Sequence, residues 1–124
     1  MAVILSSGIA GCTPIDERRV LGAYVAEYSY ARQELDIKPN GSYVQRIVVK
    51  GKSEELTHSG TWTYDRSASR LVLNDPLLLD DNFGKLNPDY RTPAKGIWGL
   101  SVRSTAAGIT LNWNDDLGVH FTKK

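Results

Sequence analysis

Apolar and polar residues alternate with period two along most of this chain, the signature of strands with one buried face. Val20–Tyr30 places Tyr24, Ala26, Tyr28 and Tyr30 on one face, and Gln33–Lys38 brings Leu35 and Ile37 together. Pro39-Asn40-Gly41 then turns the chain, because Pro fixes φ and Asn-Gly accepts positive φ. Ser42–Lys50, rich in Tyr, Val and Ile, predicts the next strand and ends at a turn over Gly51-Lys52. Glu54–Tyr64 carries Trp62 and Tyr64 on one face, and Asp65–Ser69 leads into Arg70–Asn74. The pattern resumes in Ile97–Arg103, Gly108–Asn112 and Val119–Lys123, the last two joined by Asn114-Asp115-Asp116-Leu117-Gly118, which suits a type I turn with a glycine-assisted bulge. No apolar stripe of helical period persists for three turns, and β-branched residues are frequent. The fold class is therefore all-β: an antiparallel meander of about eight strands, closed or nearly closed into a small barrel or sandwich.

One stretch departs from this rhythm. Asp75–Gly96 scatters Pro76, Gly84, Pro88, Pro93 and Gly96 among short apolar groups, a connection longer than compact domains usually keep without a purpose. Asp80, Asp81, Phe83, Leu86 and Tyr90 mark it as the candidate ligand or partner loop: the apolar members can cover a cavity or engage a partner, and the two aspartates give a polar edge. A loop that only plugs the barrel end is the competing expectation. The phase of each strand predicts that Trp62, Tyr43, Leu71, Leu73, Leu100, Leu111 and Phe121 are buried. Gln45 is a polar intrusion on that face, between Tyr43 and Ile47.

Length and charge narrow the class. At 124 residues with 41% hydrophobic content, the chain has the size of one domain with a sizeable core. Fifteen basic residues against fourteen acidic ones give a net charge of +1, too little field for non-specific nucleic-acid binding. No run of about 18 apolar residues predicts a membrane-spanning helix.

The single cysteine, Cys12, excludes an internal disulfide and follows Ile9-Ala10-Gly11 after a short apolar opening. This stretch resembles a bacterial lipoprotein signal, in which an aliphatic residue and two small ones precede a cysteine that becomes lipidated. The resemblance implies residues 1–19 as signal remnant and tether, 20–124 as a single barrel-like domain, and Cys12 as the lipid attachment site. It also implies a place in the cell envelope, membrane-anchored, with Thr13 after Cys12 pointing to the outer membrane. Stable anchoring of this kind takes two or more acyl chains. No Lys or Arg precedes Cys12, so the expected basic start of a signal lies upstream of Met1 if the resemblance holds. Thr13–Arg19 reads as a polar tether.

A second resemblance rests on Leu21-Gly22-Ala23-Tyr24, on Leu35-Asp36-Ile37-Lys38-Pro39-Asn40-Gly41-Ser42-Tyr43, on Gly60-Thr61-Trp62 and on Leu71-Val72-Leu73. These segments are similar to the lipocalin-like meanders of small bacterial lipoproteins. The resemblance implies fold and carries no catalytic residue. Copper-responsive members have a Cys-x-x-Cys in the first hairpin, which this chain lacks.

Candidate chemistry is sparse. His58 and His120 have no second His or Cys at metal-ligand spacing, and Asp75, Asp80, Asp81, Asn82 and Asp89 do not follow a calcium-loop spacing. No Gly-x-Ser-x-Gly elbow and no phosphate-binding glycine loop occurs. Trp62, Trp98 and Trp113 read as core residues. The expectation is a non-catalytic envelope lipoprotein with no cofactor, no metal and no nucleic acid. It either binds a small apolar ligand in its barrel or contacts another envelope protein around a solid core, and a filled interior favours the second.

Overall fold

Eight stretches of alternating burial fold into eight strands, in a computed structural model that describes residues 15–80, 85–114 and 119–124. They are β1 (Gly22–Glu27), β2 (Ala31–Ile37), β3 (Ser42–Val49), β4 (Glu55–Asp65), β5 (Arg70–Asn74), β6 (Ile97–Thr105), β7 (Gly108–Asn114) and β8 (Val119–Lys123). Each pairs antiparallel with its sequence neighbour, and β8 returns to β1, so the meander closes into a barrel. Closure removes the open sheet edges that a flat meander would leave.

Turn chemistry sets the register. In the β2–β3 turn Gly41 has φ +87°, which glycine adopts without a Cβ penalty, and the Asn40 carboxamide accepts from the Ser42 amide at 3.0 Å and its hydroxyl at 2.6 Å. The first strand ends earlier than its pattern predicts. The chain reverses over Tyr28–Tyr30, with the Tyr28 amide donating to the Ala31 carbonyl at 2.8 Å. Tyr28 and Tyr30 stack with ring centroids 5.7 Å apart. Two aromatic residues at a spacing of two thus prolong the strand signal through the turn.

The end of the expected tether is also ordered differently. Glu17–Val20 forms a single helical turn, α1, capped by Asp16, whose side chain accepts from the Arg18 amide at 2.9 Å. Ile15 and Val20 are buried against the barrel core. Two tyrosines fasten this lid: the Tyr24 hydroxyl donates to the Val20 carbonyl and the Tyr64 hydroxyl to the Ile15 carbonyl, both at 2.7 Å. Apolar residues separated by polar ones at a spacing of five give neither strand nor helix period, so Ile15 and Val20 leave no periodic signal.

Two clusters of buried residues form the core. The larger joins Tyr24, Leu35, Ile37, Tyr43, Trp62, Leu71, Leu73, Trp98, Leu100, Leu111 and Phe121 toward the α1 end. All seven residues assigned to the core by strand phase are buried, Trp62 the most exposed of them at 7%. The smaller cluster joins Ala31, Ile47, Val49, Leu77, Leu79 and Tyr90 at the other end. Wall and interior meet closely at Gly60, where an added Cβ would lie 2.6 Å from the Tyr43 ring.

Candidate functional site

The second cluster belongs to the end of the barrel remote from α1, where the β5–β6 connection enters. β5 stops at Asn74, and Asp75 takes a left-handed backbone with φ +48°, strained for a residue with a Cβ. The bend is clasped twice: the Asp75 amide donates to the Gly96 carbonyl at 2.7 Å, and the Gly96 amide donates to Asp75 Oδ1 at 2.8 Å. His58 adds a third contact, its Nε2 2.9 Å from the Asp75 carbonyl, which requires the proton on that nitrogen.

Beyond the bend the chain dives into the barrel and Gln45 receives it. The Leu77 amide donates to Gln45 Oε1 at 2.8 Å, and Gln45 Nε2 donates to the Leu77 carbonyl at 3.0 Å. A side-chain amide thereby stands in for the neighbouring strand that Leu77 has left. The same Nε2 donates to Gln33 Oε1 at 2.8 Å, and Gln33 Nε2 donates to the Tyr28 hydroxyl at 3.2 Å. Both glutamines are fully buried. Unpaired, each buried amide would cost about 1–3 kcal/mol; linked, they satisfy the inserted backbone. Burial is the main cause that holds the Tyr28 hydroxyl well above the usual tyrosine range, so it stays protonated in the chain.

Leu77, Leu79 and Tyr90 then pack on Ala31, Ile47 and Val49. Asp80 is buried and accepts from the Tyr30 hydroxyl at 3.1 Å. Asp80 and Leu86 form an antiparallel bridge, and the Asn87 amide donates to the Leu79 carbonyl at 2.6 Å. Of the candidate loop residues, Asp80 and Tyr90 thus point inward and Leu86 is half-buried against the same cluster. Asp81 and Phe83 lie outside the described residues, as does Cys12.

Sequence reasoning singled out Gln45 but missed Gln33. The signal was available: Gln33 shares the inward phase of Leu35 and Ile37 and breaks it as Gln45 breaks that of Tyr43 and Ile47.

Clefts are formed among the described residues. One, of about 500 Å³, runs between Glu17, the β2–β3 turn and Trp62–Tyr64. Another, of about 390 Å³, lies between His58–Thr61, Asn74, Asp75 and Pro93. Among the described residues no three His, Cys, Asp or Glu side chains converge on a metal position. No helix of the described residues is long and apolar enough to cross a membrane. Comparison with known proteins finds no family model, curated protein or solved structure that matches this chain.

Proposed function

We propose that this chain is a membrane-anchored bacterial envelope lipoprotein of the lipocalin-like kind that works by contact with another envelope protein, around a solid barrel. One observation carries the choice against a ligand carrier. The barrel end opposite α1 is occupied by the protein's own Leu77, Leu79 and Tyr90. Gln45, the polar intrusion that would orient a bound molecule, spends its hydrogen-bonding groups on Leu77 and Gln33. An eight-stranded barrel has room for packed side chains or one small ligand, not both.

The anchor reading rests on Ile9-Ala10-Gly11-Cys12. Only Thr13 and Pro14 separate Cys12 from Ile15, which is buried beside α1. A lipidated Cys12 would therefore hold the α1 end toward the membrane and turn the plugged end outward.

The test has two arms. Expressed in a bacterial host behind an upstream start, the wild type is expected in the detergent phase and Cys12→Ser in the aqueous phase; equal partitioning overturns the anchor. Titration of the purified domain with an apolar dye such as anilinonaphthalene sulfonate is expected to show no saturable stoichiometric site. A tight site of one dye per chain would restore the carrier reading.

A further inference from the structure

The bend at Asp75 leaves part of the wall without a neighbour. β4 has eleven residues and β5 has five, and their ladder runs only from Trp62↔Leu73 to Asp65↔Arg70. Peptide groups alternate sides along a strand. The Trp62 amide donates across to Gly41 beside β3, so even-numbered positions of β4 face β3 and odd-numbered ones face β5. Thr63 therefore meets β5, while Thr57 and Ser59 face a place that β5 has already left. Among the described residues, no hydrogen bond engages the main-chain N–H or C=O of Thr57 or Ser59 on that side. Both residues are exposed. Within a barrel closed elsewhere, this is a short stretch of free strand edge.

The edge opens into the 390 Å³ cleft, whose far side is formed by Asp75 and Pro93. Pro93 has no N–H, so it cannot donate across to β4. Two carboxylates stand near this edge: Glu55, two positions before Thr57 on β4, has no ionic partner among the described residues, and the Asp75 carboxylate, which lines the cleft, accepts from the Gly96 amide; Glu54 is paired with Arg91.

We infer that the free edge of β4 at Thr57–Ser59 is a strand-addition site for an extended, basic polypeptide segment of a partner protein. Such a segment would exchange main-chain hydrogen bonds with Thr57 and Ser59 and set a Lys or Arg near Glu55 and Asp75, the mode in which backbone pairing supplies affinity and alternate side chains supply selectivity. The occupant is a flexible segment and not a second copy, because a strand already held in another barrel wall cannot enter a slot bounded by Asp75 and Pro93. The inference deepens the protein-contact reading above and rests on it.

The experiment uses amide NMR on the purified domain with a synthetic octapeptide of alternating Lys and Val, and with its Glu-Val counterpart as control. In the free protein the Thr57 and Ser59 amides are expected to exchange with solvent at least about tenfold faster than those of His58 and Gly60, which bond to β3. The Lys-Val peptide is expected to slow that exchange and to shift signals confined to Thr57–Thr61 and Asp75; the Glu-Val peptide is not. Ser59→Pro deletes only a donor that faces the cleft and should abolish the effect with the barrel spectrum retained. If that variant does not fold, Glu55→Lys, at an exposed position, is expected to weaken the Lys-Val peptide by about three- to tenfold. Binding that is indifferent to both variants, shifts on another face, or protection of Thr57 and Ser59 by dimerisation without peptide would each overturn the site. Failure here alongside a discrete envelope partner crosslinked through another surface would leave the protein-contact reading standing.

Discussion

Gln45 shows how one buried side chain can hold an inserted loop inside a barrel. With an amide at this position Leu77 is bonded as though still in a sheet; with a methyl there its N–H and C=O, and Gln33 Oε1, lose partners inside the barrel. Gln45→Ala is therefore expected to destabilise the domain by at least about 2 kcal/mol in urea unfolding, since each buried orphan costs about 1–3 kcal/mol; a loss below about 0.5 kcal/mol would mean that water replaces the amide. Gly60 makes a second residue-scale case. Its would-be Cβ meets the Tyr43 ring at 2.6 Å, and that ring is held by a hydroxyl bond to the Asn74 carbonyl at 2.7 Å. Gly60→Ala should cost about 1–3 kcal/mol, the range for overpacking, and combining it with Tyr43→Leu should recover part of the loss in a double-mutant cycle. Residue-scale burial was legible because strand phase assigns it: Trp62, Tyr43, Leu71, Leu73, Leu100, Leu111 and Phe121 follow parity alone. The partner of an intruding polar group was not, because Gln33 and Gln45 meet only across the β2–β3 ladder, where Leu35 pairs with Gln45 and Gln33 with Ile47.

At the scale of elements, strands announce themselves and what lies between them does not. The eight strands follow the period-two pattern to within a few residues, whereas the path of Asp75–Gly96 depends on a left-handed aspartate and on side-chain clasps that no periodicity encodes. A hint was nonetheless present in the unequal lengths of the segments now seen as β4 and β5, since a long strand beside a short one must leave some of its edge unpaired. The connection packs Leu77, Leu79 and Tyr90 against the barrel wall, and Tyr90 is its most informative member. The ring is buried, but its hydroxyl has no hydrogen-bond partner among the described residues. Tyr90→Phe should then leave stability unchanged or raise it by up to about 1 kcal/mol, because it deletes a desolvated group without opening a cavity. A loss above about 1 kcal/mol by thermal or urea unfolding would show that the hydroxyl is satisfied in solution.

For the molecule as a whole, its tyrosines tie stability to alkaline pH. Burial pushes the Tyr43 hydroxyl up to about 12, helped by the nearby Asp75 charge, and burial raises Tyr24 and Tyr28 further. A phenol that ionises later in the folded chain than in the unfolded one stabilises the fold fully below the unfolded value of about 10, and this contribution fades as pH climbs through the folded value. Tyrosinate absorbance and circular dichroism recorded together should show these three tyrosines ionising only as the barrel unfolds, between about pH 10 and 12 and above. Tyr43→Phe should flatten that dependence between about pH 10 and 12. Six tyrosines titrating near pH 10 with the dichroism unchanged would contradict the burial on which this rests.

The closing ladder between β1 and β8 has a bearing on the order of assembly. Seven of the eight ladders join strands next to each other in sequence, but the eighth joins Tyr24 to Lys123 and Val25 to Thr122, across 97 residues in the second case. Closing a flexible loop of that length costs about 4 kcal/mol in chain entropy from its length alone, more than two rungs of ladder return. The seam is expected to zip last, after the seven sequence-adjacent ladders have curled the sheet and brought its ends together, an order that folding kinetics of variants at Val25 and Thr122 would check. In the native state it is also the first to part, and the amides of Val25 and Lys124 should exchange through a cheaper opening than those of Leu35 and Ile47. Each opening transiently turns a barrel into a sheet with two bare flanks, β1 and β8, and the lifetime of that open sheet sets how readily these molecules join one another at high concentration.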